Sequence, residues 1–187
     1  MSAALLVIDV QQSFEHRPYW DTHDLPEFSR RLNQLIAGCE AAGIPVVNIL
    51  HADNDDVFRK DSGWVKPMAF LRHTPMATFE KHVHNALTES GLLQWLNERN
   101  IRHLIISGIR TEQCCETTTR VASDLGFTVD FVSEATLTFA MTHANGTVYS
   151  AAEIKARTEL VLAGRFARIC SVAQVLADLK KPEVAHA

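Results

Sequence analysis

A chain of 187 residues is long enough to bury one sizeable core, and residues 1–187 read as a single domain. Apolar residues make up 47% and charged residues 21%, an ordinary globular profile, and the formal charge of −4 argues against nucleic acid as a partner, since phosphate contacts need clustered Lys and Arg. No apolar run approaches the roughly 20 residues of a bilayer span, and MSAALLVIDVQQ has neither the basic segment nor the cleavage site of a signal peptide, so no membrane role is expected.

In chain order, ALLVID (4–9) is a continuous apolar run, as in a strand buried on both faces. DLPEFSRRLNQLIAGCEAAG (24–43) is predicted as a helix, with Asp24 as N-cap, Pro26 in the first turn and Gly43 at its end. PVVNIL (45–50) is the next strand, followed by a polar, irregular stretch over 51–75 that still carries Phe58, Trp64 and Phe70. ATFEK (77–81) reads as a short strand, SGLLQWLNERN (90–100) as a helix capped by Ser90, and HLIISG (103–108) as a central strand. TEQCCETTTRVASDLG (111–126) is predicted as a helix closed by Gly126, and TVDFVS (128–133) as a strand. SAAEIKARTELVLAG (150–164) opens on the capping box Ser150-x-x-Glu153; ARICS (167–171) and SVAQVLADL (171–179) supply a last strand and helix, with a frayed tail from about 180.

Strands alternating with helices in this way imply βαβ units. The predicted fold is therefore α/β: a three-layer α/β/α sandwich with a mainly parallel, about six-stranded doubly wound sheet. Ligands of such sheets sit beyond the carboxyl ends of the strands, where strand order reverses. Three polar residues fall at such ends: Asp9, Lys81 and Cys114. Taken singly, Asp9 suits a turn cap and Lys81 a solvated side chain. Cys114 lies in the first turn of its helix, where the dipole and unpaired N–H groups favour a thiolate, while Cys115 points about 100° away. A thiolate nucleophile needs a proton acceptor, a cation and an oxyanion hole, roles that Asp9, Lys81 and the helix-start amides could fill. The four cysteines, at 39, 114, 115 and 170, show no CxxC spacing and predict free thiols in a reducing cytoplasm.

These residues carry a family resemblance that runs from Ala4 to about Leu179. LLVIDVQQSF, EKHVHNALTESGLLQWL and ISGIRTEQCCETTTRVASDLGF resemble three segments of the isochorismatase-like cysteine hydrolases. Gly108, Thr111, Cys114, Thr118, Arg120, Ala122 and Gly126 fall in register with the signature of the third segment. The chain departs from the pattern in Leu87, where Phe is commoner, and in Cys115, where Val is commoner. The resemblance implies Cys114 as nucleophile, Asp9 as base and Lys81 as cation. It also implies a cis peptide between Ile109 and Arg110, with the Arg110 and Cys114 amides forming the oxyanion hole. The implied reaction is hydrolysis of a C–N bond in a small amide, carbamoyl or ureide-like substrate through a thioester, in a homodimer or homotetramer.

Phe14, Trp64 and Glu134 are candidate substrate contacts, with Trp20 and Phe70 as further aromatic lining; each also suits ordinary packing or capping. The Arg110 guanidinium has two readings, an anion-binding group or a solvent-facing one. Relatives of the nicotinamidase type hold a metal through an Asp-x-His arrangement. Here His51 and Asp53 stand in the opposite order, and His82 and His84 are ordinary surface candidates, so no metal and no other cofactor is expected. The 51–75 segment is expected to be a lid or a subunit contact. Competing classes are less consistent with the sequence. Neither GxGxxG nor GxxxxGK[ST] follows any strand, and adjacent cysteines do not suit a thiol–disulfide protein. Vinyl-ether cleavage of isochorismate and a catalytically silent scaffold remain as alternatives.

Overall fold

The computed structural model describes residues 2–180. Its elements are β1 (Ala3–Ile8), α1 (Leu25–Ala41), β2 (Val46–His51), β3 (Ala77–Lys81), α2 (Leu92–Glu98), β4 (His103–Ile109), α3 (Glu116–Asp124), β5 (Thr128–Leu137), β6 (Met141–Thr142), β7 (Val148–Tyr149), α4 (Ala151–Leu162), β8 (Arg168–Ile169) and α5 (Val172–Leu179). Six strands pair in parallel in the order β3-β2-β1-β4-β5-β8. The chain moves outward from β1 to β2 and β3, then returns to the other side of β1 with β4. Strand order therefore reverses between β1 and β4, and the fold is the predicted three-layer α/β/α sandwich. No helix among the described residues is long and apolar enough to cross a membrane.

β1 is buried along its whole length because both its faces are covered. Successive side chains point to opposite faces. Leu5 and Val7 meet Phe28, Leu32 and Leu35 of α1 and Val172 and Val175 of α5. Leu6 and Ile8 meet Leu92 and Leu96 of α2, Ala122 of α3 and Leu162 of α4.

The centre of the sheet depends on Gly108, whose φ is +127°. A Cβ there would lie 2.0 Å from the Ile8 carbonyl oxygen and 2.6 Å from the Ile8 nitrogen. Glycine thus lets the backbones of β1 and β4 approach one residue before Asp9. On the far side of β4 the pairing with β5 jumps from Ile106–Phe131 to Gly108–Thr136. That bulge lets β5 run on to Leu137, beyond the predicted end at Ser133.

Other boundaries differ for local reasons. Asp24 occupies the N-cap of α1 but its side chain makes no capping bond. At α2 the cap position belongs to Gly91, with φ +84°, and Ser90 assists by accepting the Leu92 N–H at 3.2 Å. Ser150 and Glu153 form the predicted capping box of α4, and Ser171 with Gln174 forms a second at α5. The predicted 111–126 helix divides into a wide π-helical turn over Thr111–Cys115 and α3. β6 and β7 form a small exposed antiparallel hairpin around Asn145 and Gly146. The 51–75 segment is ordered by two 3-10 turns, and Gln11 bridges to Pro67 within it. The predicted frayed tail lies, from residue 181 on, outside the described residues.

Candidate active site

Asp9 leaves β1 with φ +52°, a left-handed conformation that non-glycine residues seldom adopt, and its N–H is held by the Ile49 carbonyl at 2.9 Å. This turn directs the carboxylate over the carboxyl ends of the strands, fully buried. Lys81 ends β3, two strands away, opposite His51 of β2 in the ladder. Its long stem crosses the end of β2, and the fully buried Nζ stands 2.8 Å from Asp9 Oδ2. The same Nζ is 3.4 Å from Cys114 Sγ and 3.0 Å from His51 Nδ1. The structure thus gathers Asp9, Lys81 and Cys114 from the ends of three elements. The Asp9–Lys81 contact is an ion pair without aligned hydrogen-bond geometry, and neither Asp9 oxygen accepts an aligned protein hydrogen bond.

Cys114 and Cys115 differ in access. Cys114 is 7% exposed, whereas Cys115 is completely buried in the layer beneath the sheet. Burial raises the Cys114 pKa above the ordinary thiol value; the Asp9 charge raises it further, while Lys81 opposes both. The sequence argument from helix position alone anticipates a thiolate. At this depth desolvation and the adjacent carboxylate work against the thiolate that the helix start favours. For Lys81, burial works against the charge, but Asp9 and Cys114 outweigh it and its pKa is raised. The site therefore gathers an ammonium, a carboxyl group and a thiol group, all three buried.

A fourth side chain joins them. The neutral ring of His51 bridges Lys81 Nζ and Asp53, with Nε2 3.1 Å from Asp53 Oδ2. Its backbone is clamped by the buried Gln11 amide, which accepts the His51 N–H at 2.8 Å and donates to its carbonyl at 2.9 Å. In the sequence His51 and Asp53 stand out only as metal candidates; the signal that places them here is the ladder pairing of His51 with Lys81. Both ring nitrogens of His51 are engaged within the protein. His82 Nδ1 lies 2.7 Å from the Ala52 carbonyl, and the His84 ring sits 6.4 Å from that of His51. Among the described residues no group of three or more His, Cys, Asp or Glu is arranged to hold a metal ion.

The peptide between Ile109 and Arg110 is cis. The Arg110 side chain is buried and does not face solvent. It pairs with Glu112 at 3.0 Å and stacks over Tyr19, its guanidinium carbon 4.7 Å from the ring centre, while Thr138 donates to Glu112 at 2.6 Å. Thr111 and Thr136 share a 2.7 Å hydrogen bond that ties the wide turn to β5. Other signature positions also have local work: Thr118 accepts the Ala86 N–H at 3.1 Å, and Arg120 pairs with the buried Glu116 at 2.9 Å. Gly126 takes φ +84° after α3.

The substrate-contact candidates are dispersed. Phe14 is buried edge-on against Phe58, centroids 5.1 Å apart, within the core behind the site. Trp64 is 37% exposed and stacks on His16 at 3.9 Å. Glu134 accepts the Val172 N–H at the start of α5 and faces Arg31 at 3.6 Å, so its carboxylate serves helix capping. Trp20 packs on Phe139 and Phe70 on Phe28. A cleft of about 560 Å³ lined by Asp53, Arg59, Lys60 and His82 opens beside the outer end of the His51 chain; none of the three central residues lines it.

With this geometry in hand, the isochorismatase domain matches residues 3–174. The chain belongs to the isochorismatase family. It is 28% identical over 186 residues to the uncharacterized isochorismatase family protein YrdC of Bacillus subtilis, covering 95% of this chain and 96% of that one. Nicotinamidase 3 of Arabidopsis thaliana is 29% identical over 153 residues, covering 73% of this chain and 74% of that protein. The crystal structure of a protein assigned to the isochorismatase-family hydrolases in Chromobacterium violaceum superposes with a TM-score of 0.87 at 27% identity, covering 95% of this chain and 93% of that one. The isochorismatase-family fold thus accounts for the parallel sheet.

Proposed function

We propose that this isochorismatase-family hydrolase cleaves a C–N bond of a small amide, carbamoyl or ureide-like substrate through a thioester on Cys114. The observation that carries the reading is the single ammonium of Lys81 within reach of both a buried carboxylate, at 2.8 Å, and the slightly exposed Cys114 sulfur, at 3.4 Å. Moving the thiol proton from Cys114 to Asp9 leaves a thiolate and a neutral acid beside the same cation. The net charge of the buried site does not change, so the transfer avoids the desolvation cost of creating an isolated charge.

The thiolate then attacks the substrate carbonyl carbon. The carbonyl oxygen becomes an oxyanion, received by the backbone N–H groups of Arg110 and Cys114. As the tetrahedral intermediate collapses, the C–N bond breaks and Asp9 returns its proton to the leaving nitrogen. Water then gives a proton to Asp9 and its oxygen attacks the thioester. The second intermediate expels the sulfur, which recovers the proton from Asp9, and a carboxylic or carbamic acid departs. The likeness to nicotinamidase 3 supports amide chemistry, while His51–Asp53, occupied with Lys81, offers no match to the Asp-x-His arrangement of nicotinamidase-type relatives.

The test is ammonia or amine release from a panel of small amides (nicotinamide included), carbamoyl compounds and ureides, with Cys114→Ala in parallel. Release from one class that disappears in Cys114→Ala supports the reading. Silence across the panel, or release that survives Cys114→Ala, refutes it; silence also moves the search to esters and isochorismate-like vinyl ethers.

A further inference from the structure

The Lys81 ammonium has three close neighbours: Asp9 Oδ2 at 2.8 Å as an ion pair, and His51 Nδ1 at 3.0 Å and Cys114 Sγ at 3.4 Å within hydrogen-bond reach. Two of these neighbours exchange a proton in the proposed reaction. The third, His51, bonds instead to Asp53. An ammonium offers only donors, so the nitrogen facing it must be the bare one, and the imidazole proton sits on Nε2. That nitrogen is 3.1 Å from Asp53 Oδ2, a matching acceptor. Asp53 is fixed in turn: its Oδ1 accepts the Asp55 N–H at 2.6 Å, and its own N–H goes to the Phe58 carbonyl at 3.0 Å. The Phe58 ring stands edge-on to His51 at 5.7 Å, and Gln11 clamps the His51 backbone.

We propose that Asp53 and His51 form a positioning device for Lys81, holding one N–H of the ammonium so that the charge stays fixed between Asp9 and Cys114. The inference rests on the roles given to Cys114 and Asp9 above. When the proton moves to Asp9, the carboxylate becomes a weaker acceptor and the new thiolate a stronger one. An ammonium on a flexible four-carbon stem would then swing toward the sulfur. A third acceptor whose position does not change during the reaction prevents that swing. Burial, followed by the Lys81 charge, lowers the His51 pKa against the opposing pull of Asp9 and Asp53, which keeps the ring a neutral acceptor near neutral pH.

The test follows alkylation of Cys114 by iodoacetamide in the full chain, mapped by peptide mass against Cys39, Cys115 and Cys170. It needs no substrate. His51→Phe keeps a ring against Phe58 but offers no acceptor; His51→Asn places an amide oxygen near the former Nδ1. His51→Phe is expected to slow alkylation on the order of ten- to a hundredfold, the size of one hydrogen bond to a charged group, and to lower kcat by a similar factor with little change in KM. His51→Asn is expected to recover most of the loss. Alkylation of His51→Phe at the wild-type rate would overturn the proposal, as would a His51→Asn variant no better than His51→Phe, which would leave His51 a packing role only. Should His51→Phe fail to fold, Asp53→Asn decides at a more exposed position: slower alkylation supports the device, and an unchanged rate overturns it. A normal response of alkylation with no hydrolysis of any C–N substrate would sink the functional reading while leaving the positioning role standing.

Discussion

Replacing Gly108 by alanine asks for one methyl group in a place where the backbone of β1 already is. The added Cβ would sit 2.0 Å from the Ile8 oxygen, 2.7 Å from its carbonyl carbon and 2.6 Å from its nitrogen. All three are main-chain atoms, so no side-chain rotation relieves the contact. Overpacking of a tight core costs about 1–3 kcal/mol when side chains can adjust, and holding an L-residue at φ +127° adds about 1–3 kcal/mol. The expected loss is therefore about 2–6 kcal/mol, reaching the exceptional end for a single substitution. Urea unfolding should show a much lower midpoint with an unchanged slope, since native compactness is retained. Any Gly108→Ala protein that folds should also lose activity out of proportion to its stability, because β1 and β4 must separate where they carry Asp9 and lead into Cys114. A midpoint within about 1 kcal/mol of wild type, with turnover intact, would refute this account of the β1–β4 junction.

Three further outcomes follow from the same geometry. Asp9→Asn, which keeps the shape but removes the proton acceptor, should abolish turnover and leave the circular dichroism spectrum unchanged; near-normal rates would rule out Asp9 as the base. Cys115→Val, at a completely buried position distinct from the accessible Cys114, should change stability by less than about 1.5 kcal/mol and preserve turnover and Cys114 alkylation, measured by urea unfolding and mass mapping. Asp130 supplies a pH signature: burial opposes its ionisation, but Arg168 at 2.8 Å and His103 at 3.0 Å outweigh it and lower its pKa below the ordinary 3.8. A depressed carboxyl pKa means that the stability it contributes is present above that ordinary value and is lost as pH falls below it. Asp130→Asn should flatten this part of the stability–pH curve, and an unchanged acid limb in urea midpoints would contradict it.

Asp9 and Cys114 could be singled out in the chain itself, because each ends or follows an apolar run that reads as a buried strand, whereas Lys81 ends the short, mixed stretch ATFEK and stands out less. Their meeting depends on strand order, which the alternation of elements restricts to few topologies. His51 was harder to place. Its partnership with Lys81 exists only through the β2–β3 register, a non-local property that residue types alone do not display. Helix position at Cys114 is visible in sequence, but depth of burial is not, and burial opposes the helix start there. The sequence pattern ends β5 at Ser133 because Glu134 interrupts the apolar run within a bulge, whereas Ala135 and Leu137 are buried beyond it. The β6–β7 hairpin carries an Asn145–Gly146 turn signal, but each of its strands is only two residues long.

The stretch after β1 also bears on how molecules come and go. The Gln12 and Ser13 amides bond to the Lys66 and Trp64 carbonyls, and the Met68 amide to Val10, at 2.9–3.1 Å. Phe58 and Met68 are buried behind them. Swinging this segment outward would break a ladder and empty a piece of core in one motion, which is the behaviour of masonry rather than of a door. The Gln12, Ser13 and Met68 amides should exchange with deuterated solvent as slowly as those of the central sheet.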